Sequence, residues 1–154
     1  MSYFEEKVKR LYNLYKQNKS IKKAYAVVEK DGNYICLTCD KGRYKYCLAG
    51  GSIEEGESPE TAVLREILEE LNVNAEIVKS LGFFEYFSSW EYNGKKFDIK
   101  NEAEIFLTRF VSFGDNEKLG LEGEFSSITK TIKISKEEML ANVAEFVSFG
   151  IKLD

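Results

Sequence analysis

At 154 residues, net charge −4 and 31% charged side chains, the chain has one domain's length and no basic stretch to track a long nucleic acid. No apolar run is long enough to cross a bilayer or to serve as a secretory signal, and three cysteines make an odd count that argues against a disulfide framework, so the expected setting is cytoplasmic with no membrane partner. Histidine is absent, which excludes a His-based triad and an HExxH zinc site and leaves acid–base work to Glu, Asp, Lys, Tyr, Cys or metal-bound water.

The spacing of Phe4, Val8, Leu11 and Tyr15 predicts an amphipathic helix over residues 3–19, within an N-terminal segment 1–20 packed on the domain. Two strand-like runs, 22–30 and 33–39, flank Asp31-Gly32. A type I′ turn needs positive φ at both central residues, so this reads as a β-hairpin. A turn at 40–43 leads to a short strand over 44–48, and Gly50-Gly51 opens a polar loop that reaches Glu57. Ser58-Pro59-Glu60 announces a helix running to about Leu71, with Ser as N-cap, Pro at the first helical position and an acid in the first turn. Asn72 follows, the second choice after glycine for a left-handed cap. Strands are expected at 75–86 and 103–111 with a turn at 91–94, then a Gly- and acid-rich loop at 114–124 and a short strand at 129–134. Ser135 and Glu138 form a capping-box pattern before a last helix that ends near Gly150. This order predicts an α/β (α+β) fold, a single domain over 1–154 built round one mixed sheet.

The helix at 58–71 carries the most informative pattern. At about 100° per residue, Val63, Leu64, Ile67, Leu68 and Leu71 fall in one arc of roughly 140°, the expected buried face. Glu66, Glu69 and Glu70 occupy a separate arc, with Arg65 at its edge. Glu66 and Glu70, at i and i+4, are close enough to share one cation, yet like charges at that spacing destabilise a helix by roughly 0.2–0.5 kcal/mol per pair. Glu69 and Glu70 also sit in the last turn, where the helix dipole favours cations. The face reads either as a solvated acidic surface or as a site for a hard cation, and oxygen ligands without His or Cys suit Mg²⁺ or Mn²⁺. Gly50-Gly51 just upstream lets backbone approach a ligand or metal, and Gly56 permits a tight turn before the cap.

Gly51, Glu57 and the run Arg65-Glu66-Ile67-Leu68-Glu69-Glu70-Leu71-Asn72-Val73 together closely resemble the Nudix box, spanning residues 51–73. Asn72 stands where that family has glycine, a mild departure because Asn tolerates the left-handed conformation. The resemblance implies an α/β/α sandwich round a mixed sheet, here with an added N-terminal helix, and a loop–helix–loop site. It implies divalent-metal-dependent hydrolysis of a phosphoanhydride bond in a nucleoside diphosphate derivative, such as a nucleoside triphosphate or an oxidised nucleotide. By position, Glu66, Glu69, Glu70 and the Gly50 carbonyl resemble metal ligands, and Arg65 resembles the residue that pairs with Glu57 and orients the glutamates. Glu69 is the first candidate for the base. The alternative is a Nudix-fold binding or regulatory domain that recognises a nucleotide without cutting it. A homodimer is compatible with the resemblance.

A further acid from outside the box is sought among Glu122, Glu124, Glu102 and Glu104; Glu122 and Glu124 are preferred because loops at a sheet end can reach in. Phe87 and Trp90 are the aromatics expected nearest a strand end, where a ring can stack on a nucleobase. Cys36 and Cys39 have C-x-x-C spacing, but residues three apart on a strand face opposite sides, so they read as small packed residues rather than a zinc or redox pair.

Overall fold

The computed structural model describes residues 2–39, 44–115 and 131–153. The N-terminal helix α1 spans Tyr3–Lys16, capped by Ser2, and ends three residues earlier than its periodicity suggests because Asn18 turns to φ 59°. Strands β1 (Ile21–Lys30) and β2 (Asn33–Thr38) form the expected hairpin, with Asp31 and Gly32 both at positive φ and Lys30 opposite Asn33.

The next stretch departs from expectation. Instead of one strand and then a loop opening at Gly50, there are two short strands, β3 (Tyr46–Cys47) and β4 (Ala49–Ser52). The glycine pair lies inside β4, with Gly50 opposite Tyr25 and Gly51 opposite Ala24. Glycine is a poor strand residue by propensity, and here tertiary fit overrides propensity.

Helix α2 (Pro59–Leu71) leads into β5 (Val73–Tyr92), which turns at Asn93-Gly94 into β6 (Lys95–Phe113). Both strands outrun their apolar patterns, since much of this hairpin projects polar side chains to solvent and alternation alone does not reveal it. Strand β7 (Thr131–Ile134) precedes α3 (Lys136–Asn142) and α4 (Ala144–Phe149). The single last helix expected from sequence is therefore broken. Val143 is extended (φ −93°, ψ 126°), fully buried, and bridges to Tyr46. A β-branched residue drawn into a sheet contact ends one helix and starts the next.

Seven strands among the described residues make one mixed sheet in the order β3-β2-β1-β6-β5, with β4 also on β1 and β7 also on β2. Only the β1–β6 pair is parallel. Alternation along β1 assigns its faces: Ala24, Ala26 and Val28 meet Ala62, Val63, Ile67 and Leu71 of α2. Tyr25 and Val27 point the other way, toward Met139, Val143 and Phe146. Helix α1 closes the far end by setting Val8 and Leu11 on Ile21, Phe97 and Ile99. The fold is an α/β/α sandwich, and its two sides meet at β4.

Candidate active site

Helix α2 is held at both ends as its sequence dictates. The Ser58 hydroxyl accepts the Thr61 N–H at 3.1 Å, Pro59 occupies the first turn, and Asn72 takes the left-handed conformation (φ 56°, ψ 42°) that ends the helix. Ala62, Val63, Ile67 and Leu71 are buried; each of the larger three contributes about 1.5–3 kcal/mol by leaving water. Leu68, placed in the buried arc by the helical wheel, is 41% exposed instead, and borders Gly114. The apolar stripe is thus narrower than its pattern, and Glu66 and Glu70 turn partly inward toward β4.

Arg65 organises the other flank. Its guanidinium grips Glu57 with two bonds, Nε to Oε2 at 2.8 Å and Nη2 to Oε1 at 2.9 Å. Nη2 also donates to the Ser52 carbonyl at 3.2 Å, and Nη1 reaches Glu66 Oε1 at 3.0 Å and Glu69 Oε2 at 3.3 Å. A planar fork of five N–H donors is what lets one side chain tie a loop acid, a strand carbonyl and two helix acids together. The Arg65 bonds, helped by the Glu54 N–H, bring the Glu57 carboxyl down to about 2. The same contacts raise the Arg65 pKa further above its ordinary value.

Glu66 and Glu70 have the opposite problem. Burial raises both, Glu70 to about 8 even though the Gly50 N–H donates to its Oε1 at 2.8 Å, and each one's charge or hydrogen bonding bears on the other. The glycine pair explains how they come so close to the sheet. A Cβ on Gly51 would stand 2.7 Å from Glu66 Oε1. On Gly50 it would stand 2.4 Å from the Ala24 carbonyl oxygen and 2.5 Å from Tyr25 Cδ1. The missing side chains let a carboxylate lie against one face of β4 and a tyrosine ring against the other.

Glu57, Arg65, Glu66, Glu69, Glu70 and Gly50, all singled out from sequence, are brought together at β4 and α2. Glu69 differs from its neighbours in being largely exposed and turned to Arg65. Among the described residues no three acids converge on one point. Even so, two touching, charge-deficient carboxyls beside a backbone strand form an all-oxygen donor set that fits a hard divalent cation better than it fits nothing.

Other candidates fare differently. Glu122 and Glu124 lie outside the described residues. Glu102 is engaged by Lys22, Ser20 and Lys100. Glu104 sits opposite Ala24, which in turn pairs with Gly51, so it shares the α2 face two strands away. Phe87 is 68% exposed. Trp90 is not available for stacking in the same way: it packs beneath α1 near Phe4, with Lys7 over its ring and its N–H donated to Ser88. Cys36, Cys39 and Cys47 are free thiols, and burial pushes Cys36 and Cys47 up to about 12, as expected of packed, unreactive cysteines.

Sequence reasoning passed over Tyr25 and Glu145. Tyr25 lies over Gly50 and shares a 3.0 Å hydroxyl–hydroxyl hydrogen bond with Tyr86. Glu145, on α4, is only 8% exposed, and burial raises its carboxyl to about 7. The one signal in the sequence is an acid wedged between Val143 and Phe146. Because the folded chain holds this proton where the unfolded chain has released it, the group's stability contribution is full below about pH 4.5 and lost as pH rises to about 7. Glu145→Gln is therefore expected to melt progressively above the native chain across that window, by on the order of 3 kcal/mol at its upper end. Thermal melts at pH 5 and 7.5 check this; a constant offset between the two proteins would contradict it.

A family model described as NUDIX domain matches residues 21–147. No curated protein sequence matches significantly. Among solved structures the chain is similar to a Nudix hydrolase from Nitrosomonas europaea, with TM-score 0.56 and 23% identity over 80% of this chain and 78% of that one. It is also similar to a MutT Nudix hydrolase from Burkholderia pseudomallei, with TM-score 0.52 and 18% identity over 76% and 84% of the two chains. An ADP compounds hydrolase aligns at TM-score 0.52 and 17% identity, over 77% of this chain and 59% of its own. At such identities the structural likeness is one of fold, whereas the family model covers most of the sequence, box included. The chain belongs to the Nudix family of hydrolases.

Proposed function

We propose that this chain hydrolyses a phosphoanhydride bond in a nucleoside diphosphate derivative, with Mg²⁺ or Mn²⁺ as cofactor, in the cytoplasm. The observation that carries the reading is the pair of half-buried carboxyls, Glu66 and Glu70, pressed on the glycine strand beside an Arg65–Glu57 clamp. Glu66, Glu69, Glu70 and the Gly50 carbonyl would hold the metal, which when bound supplies charge neutralisation for the pyrophosphate and lowers the pKa of attacking water. Arg65, occupied by Glu57 and Ser52, orients Glu66 and Glu69 rather than meeting substrate. Glu69 is the most exposed of the three box acids and accepts only one long bond from Arg65, so its carboxylate is the one free to take a proton from water. Solved relatives named as an ADP compounds hydrolase and a UDP-X diphosphatase support the nucleoside diphosphate class.

The test is metal-dependent release of phosphate or pyrophosphate from nucleoside triphosphates, 8-oxo-dGTP, ADP-ribose, dinucleoside polyphosphates and nucleotide sugars. Turnover of one class, lost in Glu69→Gln, supports the reading. Nucleotide and metal binding without turnover would favour a recognition domain instead. Gly51→Ala is a finer probe of the same site, because its new Cβ displaces only the flexible end of Glu66. The expected result is a fall of about ten- to a hundredfold in kcat with a melting temperature within a few degrees of native. Native kcat in that variant would remove Glu66 from the chemistry.

A further inference from the structure

We propose that the chain forms a symmetric homodimer by pairing β5, edge to edge and antiparallel, with β5 of a second copy, with Phe87 on the two-fold axis.

The open edge follows from the sheet order. Strand β5 ends the sheet, and β6 is its only strand partner among the described residues. Its 20 residues make a long row of unpaired N–H and C=O groups, a template for another strand. The first half is blunted, because register shifts at Asn74/Ala75, Ile77/Lys79 and Ser80/Gly82 bend it. From Gly82 to Tyr92 the pairing with β6 runs without a shift, and this segment holds no proline and no lysine. The devices that protect an edge therefore stop where the run Phe83-Phe84-Glu85-Tyr86-Phe87 begins.

The hairpin turn fixes which groups face outward. Asn93 and Gly94, both at positive φ, make a two-residue turn closed by the hydrogen-bonded pair Tyr92 and Lys95. Hydrogen-bonded and open pairs alternate along an antiparallel ladder. Glu91, Ser89, Phe87, Glu85 and Phe83 therefore turn their N–H and C=O groups away from β6. On that same alternation, Phe83 is 74% and Phe87 68% exposed.

Charge selects the register. Paired residues in one continuous sheet share a face, so the axis passes through a residue and not between two. Centred on Glu85, it sets that acid against its own copy; centred on Ser88, it sets Glu85 against Glu91. Like charges directly opposite are destabilising. Centred on Tyr86, it draws the bulge at Leu81 into the seam. Centred on Phe87, it sets Phe87 on Phe87, Glu85 on Ser89 and Phe83 on Glu91, with no bulge and no like pair. Each acid then keeps a lysine opposite it on its own chain, Lys100 for Glu85 and Lys96 for Glu91. The outward groups of five residues meet five, giving about ten backbone hydrogen bonds.

The seam also covers exposed rings on both faces. Phe4, 62% exposed, lies beside Trp90 on the face opposite Phe87. Phe83, Phe87 and Phe4 offer on the order of 300–500 Å² of exposed ring per copy. With the paired backbone this approaches the roughly 800 Å² per partner of a stable interface.

Sedimentation of the full chain at about 1 to 100 µM tests this, and a dimer with a micromolar or tighter dissociation constant is expected. Phe87→Asp sets two carboxylates on the axis and should weaken the dimer at least about a hundredfold. Its side chain points to solvent, so the melting temperature of the monomer should stay within a few degrees of native. Cysteine cross-linking reads the register. Paired Cα atoms on the axis stand about 5.5 Å apart, within disulfide reach, whereas the two Ser89 positions lie about 14 Å apart. Phe87→Cys should form a disulfide-linked dimer under mild oxidation, and Ser89→Cys should behave as the native chain, whose own free thiols set the background. A native chain that is monomeric at about 100 µM, which leaves the edge to an extended segment of another protein, overturns the proposal. So does a dimer that survives Phe87→Asp, or equal cross-linking of the two cysteine variants.

Discussion

Glu70→Gln is expected to lower kcat by about a thousandfold or more while leaving the fold in place and making the metal-free chain more stable. Glutamine keeps a carbonyl where Glu70 Oε1 now accepts the Gly50 N–H, so the strand keeps its partner. What goes is charge. Glu70 is held up at about 8 because burial and the neighbouring Glu66 both disfavour its ionised form. Removing that half-buried charge should add on the order of 1–3 kcal/mol to metal-free stability at pH 8. The native chain, in turn, should gain melting temperature with Mg²⁺ or Mn²⁺ by mass action, and the variant should not. Melts with and without metal, together with kcat, check all of this. A variant that keeps kcat within tenfold, or responds to metal as the native chain does, would take Glu70 out of the metal site.

That opposition between stability and function is also what made the site legible in sequence. Glu66, Glu69 and Glu70 crowd like charges at the negative end of a helix, an arrangement that local physics disfavours and that reads either as a solvated acidic face or, with a cation, as a site. Ser58, Pro59 and Asn72 mark the ends of α2 for equally local reasons, and the Asp31-Gly32 turn needs only two φ values. Other features depend on distant partners and left no mark in their own neighbourhood. Gly50 and Gly51 look like a loop until β1 is known to lie beside them and Tyr25 and Glu66 to press on either face. Val143 looks like mid-helix until its bridge to Tyr46 is seen. Glu145 looks like one more surface acid until α4 turns it to Leu48. Trp90 stands out only by its place near a strand end, because the pattern of β5 says nothing of α1 lying over it.

Gly50→Ala should be the most damaging single change to the fold, in contrast to its neighbour. At Gly51 a methyl meets the end of a long side chain, which can swing away. At Gly50 it meets backbone, the Ala24 carbonyl oxygen at 2.4 Å and Tyr25 Cα at 2.7 Å, besides the Tyr25 ring. Neither strand can give, because Tyr25 is paired on its other side with Ile105 of β6 and Gly50 is tied to Glu70. The φ of 156° adds strain for any residue with a Cβ. Overpacking of this kind costs about 3 kcal/mol or more, against a total stability of only about 5–15 kcal/mol. The melting temperature should therefore fall by about 10 °C or more, and kcat should collapse even in the fraction that remains folded, because β4 cannot hold the Gly50 N–H against Glu70. Thermal unfolding of Gly50→Ala beside Gly51→Ala is the measurement. If both variants melt alike, the backbone at Gly50 has room that the β1–β4 pairing does not allow, and the two-sided contact at the glycine pair is not what holds the site together.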